Sequence, residues 1–204
     1  MSLRDHSLDA PILESARREF LKNGYEKASL KEICMDAGVT TGAVYKRYKG
    51  KAELFEAVVA GVVEELDAVI EQQGNVDRRT LSDADLKREW QMDETAMMKW
   101  FRFFEERKEE FYLLLCGSAG TKYEDFRHDL VEKMTDISYV SYQELYARRL
   151  TEVELSRNEL HTMLSVFWTS IYEPFIHRFT PEELKEHCRI ICRFLNWNEV
   201  FHFH

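Results

Sequence analysis

The chain has 204 residues, 45% hydrophobic and 32% charged, with only 3 Pro and 8 Gly. It is long enough to bury a real core and too apolar for a disordered polymer. Its formal net charge of -9 argues at first sight against a nucleic-acid partner, since phosphate binding needs local positive potential.

In chain order, Asp9 with Pro11 behind it starts a first helix that carries Ile12, Ala16 and Phe20 and stops at Gly24. Ser29-Leu30-Lys31-Glu32 has capping-box form and opens a second helix, with Leu30, Ile33, Cys34 and Ala37 on one stripe and an end at Gly38. Thr40-Thr41 starts a third short helix through Tyr48. Gly50, with Glu53 three residues on, can cap a fourth that runs to about Gln72 on a broad apolar face. After a polar stretch, Leu86, Trp90, Met97, Trp100, Phe101 and Phe104 predict one long fifth helix. A short sixth ends near Gly117, and a seventh spans about Lys122 to Arg149. Ser156-x-x-Glu159 caps an eighth, which Pro174 should kink, and Thr180-Pro181-Glu182-Glu183 opens a ninth. No strand alternation or internal repeat competes, so the fold class is all-α, with about nine helices.

The distribution of charge reverses the argument from its sum. Between Thr40 and Lys51 the chain carries Lys46, Arg47, Lys49 and Lys51 and no acid. In a helix-turn-helix the second helix enters the major groove N-terminus first, so its leading residues must be small or polar. Thr40, Thr41 and Gly42 meet that demand, while Tyr45, Lys46 and Tyr48 can reach groove or phosphate. Lys51 adds a cation to the N-terminus of the fourth helix, already suited to phosphate. The competing reading is an ordinary helical hairpin with solvated lysines.

The run from Gly24 to Leu54, with glycine before Tyr25, the turn Ala37-Gly38-Val39-Thr40, the segment Gly42-Ala43-Val44-Tyr45 and Lys51, resembles the DNA-binding signature of the TetR family. The resemblance covers about Pro11 to Val59. It departs from the usual pattern at Cys34, Tyr48 and Gly50. It implies a three-helix DNA-binding domain over residues 1–52 and a helical effector-binding and dimerisation bundle over 53–204. It places Ser29 and Thr40 at capping or phosphate-touching positions, Thr41, Gly42, Tyr45 and Lys46 on the recognition helix, and Tyr48 and Lys51 as backbone clamps. The implied function is a homodimeric regulator, a repressor released from a pseudo-palindromic double-stranded DNA operator by a small, largely apolar or aromatic effector.

The last two helices would dimerise through Leu160, Leu164, Phe167, Ile171, Leu184, Ile191 and Leu195, although these residues also suit an intrachain core. Trp100, Phe104, Tyr142, Trp168 and Tyr172 are pocket candidates, with Glu105 or Glu173 nearby as acids for a cationic ligand. No Ser/His/Asp order, HExxH, P-loop or GxGxxG is present, and the histidines are dispersed. A non-enzyme is therefore expected, the alternative being a helical ligand-binding protein or enzyme with a vestigial helix-turn-helix. Cys34, Cys116, Cys188 and Cys192 show no Cys-x-x-Cys spacing and read as reduced thiols. His187, Cys188 and Cys192 share a helix face but lack the second pair of a closed site, so neither metal nor cofactor is expected. No stretch of about eighteen apolar residues marks a membrane span. Met1 to His6 lacks the apolar core of a signal peptide, so a soluble cytoplasmic protein with no membrane partner is expected.

Overall fold

The computed structural model describes residues 8–203, and the expectation about Met1 to His6 lies outside them. Among the described residues the ordered elements are helical. One compact unit runs up to Leu66 and adds Arg107–Phe126, and the other holds Asp67–Glu106 and the chain from Arg127. Helix α4 runs unbroken across position 52, so a functional boundary there stays a proposal.

The first unit begins with α1 (Asp9–Lys27), whose Ile12, Ala16 and Phe20 are buried. Gly24 breaks the helical path at φ 68°, a conformation open to glycine, and Tyr25 to Lys27 form a displaced last turn. Helix α2 (Leu30–Asp36) is followed by Gly38 at φ +66°, which lets the chain turn at once into α3 (Thr41–Tyr45). Phe20, Tyr25 and Phe55 from α4 (Lys51–Gly74) pack edge to face at 5.1 and 5.6 Å. Later in the chain, α7 (Lys108–Tyr112) widens into a π turn at Leu113–Gly117.

One expected feature of α2 is only half present. The Glu32 amide donates to Ser29 Oγ at 3.4 Å, but the Ser29 amide donates to Glu19 on α1 at 2.9 Å. Glu32 is exposed, and a carboxylate from the packed neighbouring helix takes its reciprocal role.

In the second unit a 3-10 turn at Arg78–Thr80 leads to α5 (Asp83–Arg88) and α6 (Glu94–Glu105). The single long fifth helix is therefore corrected to two. Asp93 accepts from the Ala96 amide at 2.8 Å and N-caps α6, while Trp90 is buried among Trp197 and Phe201. Capping and burial of one indole outweigh continuous periodicity. Helix α8 (Phe126–Ala147) is followed by α9 (Arg157–Ile176) and α10 (Pro181–Phe194), the last two opened by complete capping boxes at Ser156/Glu159 and Thr180/Glu183. A short α11 (Trp197–Phe201), beyond the nine helices expected, buries Trp197 and Phe201. Arg148, just past the end of α8, clamps the link before α5, donating to the carbonyls of Arg78, Arg79 and Leu81 at 2.8 to 3.2 Å.

Candidate nucleic-acid interface and ligand cavity

Thr40 occupies the N-cap of α3, its Oγ1 accepting from the Ala43 amide at 3.2 Å. That bond fixes where α3 begins, so Thr41 and Gly42 fall in its exposed first turn, and Val44 faces inward with no exposed surface. Tyr45 is 56% exposed despite its large ring, and Lys46 and Lys49 are also exposed, while Tyr48 is half-buried. Ser29, the N-cap of α2, is half-buried.

Two of the basic residues have structural work in this unit. Arg47 Nε donates to Asp9 Oδ1 at 2.6 Å and its guanidinium also reaches the Ala43 carbonyl, leaving the side chain 11% exposed. The Lys51 ammonium donates to the carbonyls of Glu26 and Ala28 at 3.0 and 3.1 Å and lies 4.6 Å from the centre of the Tyr25 ring. It ties the start of α4 to the displaced end of α1 and keeps one of its three donors for another partner. The outward basic surface is thus carried by Lys46 and Lys49, with Lys51 at its margin.

In the second unit a cavity of about 210 Å³ is lined by Trp90, Trp100, Trp168 and Trp197, with Met92, Met134, Ile137, Leu164 and Phe167. All four tryptophans of the chain meet there. Trp100 and Trp168 pack edge to face at 5.0 Å. A polar ridge crosses the wall: Trp90 Nε1 donates to Ser141 Oγ at 3.1 Å, Ser141 donates to Glu89 at 2.6 Å, and Glu89 pairs with Arg78 at 3.3 Å. Trp168 has no exposed surface, yet its Nε1 has no hydrogen-bond partner. A buried indole N–H left unpaired costs roughly 1 to 3 kcal/mol, which an acceptor on a ligand would relieve.

Of the five pocket candidates, Trp100 and Trp168 line this cavity, and Phe104, Tyr142 and Tyr172 are not among its lining residues. Phe104 is fully buried in the aromatic core beside Phe175. The Tyr142 hydroxyl donates to the Val153 carbonyl at 3.0 Å and accepts from the Leu155 amide, so it props the segment before α9. Tyr172 stacks on Trp168, and burial pushes its phenol well above its usual pKa. Glu173 pairs with His177 at 3.0 Å and Glu105 is exposed; the acid on the cavity wall is Glu89. Spacing put Trp90 on an apolar helix face without marking it as cavity wall, and it could not reveal Trp197, Arg78 or Glu89, which lie in short or irregular segments.

The proposed dimer residues divide by burial. Leu160, Leu164, Phe167, Ile171 and Leu184 are buried within one chain. Ile191 and Leu195 are half-buried, and the large apolar side chains left outward on α9 and α10 are Val166, Ile190 and Phe194. The His187, Cys188 and Cys192 set does not converge. His187 Nε2 donates to the Ser170 carbonyl at 2.8 Å, and burial pushes the Cys192 thiol up to about 12. Among the described residues, no helix is long and apolar enough to cross a membrane.

Residues 12–58 match the family of bacterial regulatory proteins described as the tetR family. The chain is 41% identical over 58 residues to the HTH-type transcriptional regulator TtgR of Pseudomonas putida, a stretch covering 28% of each protein. Over 157 residues, 76% of this chain and 68% of the relative, it is 26% identical to the HTH-type transcriptional regulator SrpR of Pseudomonas putida. A solved structure of NalD, a secondary repressor of the MexAB-OprM multidrug efflux pump in Pseudomonas aeruginosa, shares the fold at TM-score 0.62 and 19% identity, covering 93% of this chain and 96% of that one. The sequence match sits on the segment that builds α1 to α4, which is similar to the DNA-binding segment of bacterial regulatory proteins of the tetR family, and the likeness through the body is one of fold.

Proposed function

We propose that the protein is a homodimeric, operator-specific DNA-binding regulator that a small aromatic effector releases from its site. The observation that carries this reading is the α2–α3 pair. Thr40 caps α3 so that Thr41 and Gly42 stand outward at its leading end and Tyr45 outward at its last position, with Lys46 and Lys49 exposed just beyond and Val44 buried. In this reading Thr41, Gly42 and Tyr45 meet base edges, while Ser29, Thr40, Lys46, Tyr48 and Lys51 meet the backbone. Phosphate contacts fix register and carry no sequence information; the small first turn of α3 supplies the readout.

The cavity supports the effector half. Four indoles favour a flat, apolar ligand, and the unpartnered Trp168 N–H selects one that carries a hydrogen-bond acceptor. Such a ligand lowers operator affinity to the extent that it binds the DNA-free conformer more tightly than the DNA-bound one. Selection from randomised duplexes followed by footprinting tests the DNA half. The reading expects an enriched pseudo-palindrome with half-sites about one helical turn apart. Absence of any enriched sequence would overturn it.

A further inference from the structure

On α8, His128 and Glu132 stand one helical turn apart and share a face, and α9 brings His161 against them. Ligand atoms from the three side chains lie within 4.8 Å of one another. His161 Nδ1 is 3.2 Å from Glu132 Oε1, and the two imidazole rings are 5.9 Å apart between centroids. Tetrahedral zinc, with ligands at about 2.0 to 2.1 Å, holds them about 3.3 Å from one another. The Glu132–His161 edge already has that length, and His128 is exposed and can close the remaining distance by a change of rotamer.

We propose that His128, Glu132 and His161 form a binding site for a divalent transition cation of the zinc class, with solvent in the fourth position, which ties α8 to α9. The donor set decides the class of ion. Two imidazoles and one carboxylate suit zinc, nickel or copper, whereas magnesium and calcium require oxygen ligands. An outer layer is in place. Arg157 Nη2 donates to Glu132 Oε2 at 2.7 Å and to Asp136 Oδ1 at 2.6 Å, which orients the carboxylate and leaves Oε1 on the side of the histidines. Asp136 offsets the guanidinium charge that would otherwise oppose a cation. The set was missed in the sequence because His161 lies 29 positions beyond Glu132, on another helix.

The test uses the full chain, stripped with a chelator and dialysed, then titrated calorimetrically with zinc chloride and, separately, magnesium chloride. Zinc binds stoichiometrically and magnesium does not. His128→Ala and His161→Ala each weaken zinc binding more than tenfold, and His128→Ala leaves the melting temperature of the metal-free protein unchanged, since its side chain is exposed. Cobalt chloride gives visible d–d bands with no near-ultraviolet thiolate band. Absence of zinc binding, unchanged affinity in the His128→Ala/His161→Ala double variant, or a thiolate band lost in Cys188→Ser would each overturn the proposal.

Discussion

His187 Nε2 donates to the backbone carbonyl of Ser170 at 2.8 Å, four residues before Pro174. Proline has no N–H, so within α9 the Ser170 carbonyl lacks its usual partner one turn on. The imidazole from α10 fills that vacancy and, because a carbonyl only accepts, its proton must sit on Nε2.

Replacing His187 with Ala is expected to cost about 1 kcal/mol in denaturant unfolding, the usual net worth of such a bond, beyond any loss of packing against Phe101 and Phe179. In a Pro174→Ala background the carbonyl regains a helical donor, so the cost of His187→Ala shrinks. Equal costs in both backgrounds would show that the histidine only packs.

The capping boxes carry a pH signature. Hydrogen bonds from the Thr180 amide and hydroxyl hold the Glu183 carboxyl below its usual value of 4.5, and Ser156 does the same for Glu159. A depressed folded-state value means stabilisation that is present above the usual carboxylate range and lost as pH falls through the folded value. Melting temperatures between about pH 6 and about pH 3 should therefore fall more steeply in the wild type than in Glu159→Gln/Glu183→Gln. Parallel curves would remove the carboxylates from this role.

Thiol reactivity should divide the cysteines. Cys116 is exposed, Cys34 and Cys188 are buried, and burial beside Cys188 pushes Cys192 up to about 12, where almost no thiolate exists at neutral pH. Brief alkylation of the native protein should mark Cys116 first by peptide mass spectrometry. Early modification of Cys192 would contradict the packing of α10.

On α9 and α10 the large apolar side chains of Val166, Ile190 and Phe194 are exposed, and in the proposed dimer they face the second copy. Phe194 is 73% exposed. Phe194→Glu should shift sedimentation from dimer to monomer at micromolar concentration without loss of helicity. A dimer that survives Phe194→Glu and Ile190→Glu together would place the interface elsewhere.

The head was largely legible in the sequence because its signals are local: Thr40 before α3, Gly38 behind α2, and Phe20 and Ile33 at helical spacing specify their own surroundings. The body was legible where caps are written in four residues, as at Ser156 and Thr180. It was not where the deciding contact is distant. Trp90 breaks the expected fifth helix because Trp197 and Phe201, more than a hundred positions on, give its ring a place to bury. Arg47 looked like one of four equivalent cations until Asp9, 38 residues away, was found to hold it. Phe104, Tyr142 and Tyr172 are buried but do not line the cavity, since spacing reports a buried face without saying what that face meets.

The central claim is that α3 reads sequence, and anisotropy titrations of the full chain on a selected operator duplex and a scrambled duplex, over a range of salt, test it directly. Wild-type protein should prefer the operator by about 1,000-fold or more. Thr41→Val should erode that preference while leaving the salt slope alone, and Lys49→Ala should weaken both duplexes alike and reduce the slope by about 0.9. Equal affinity of the wild-type protein for operator and scrambled DNA would contradict the account.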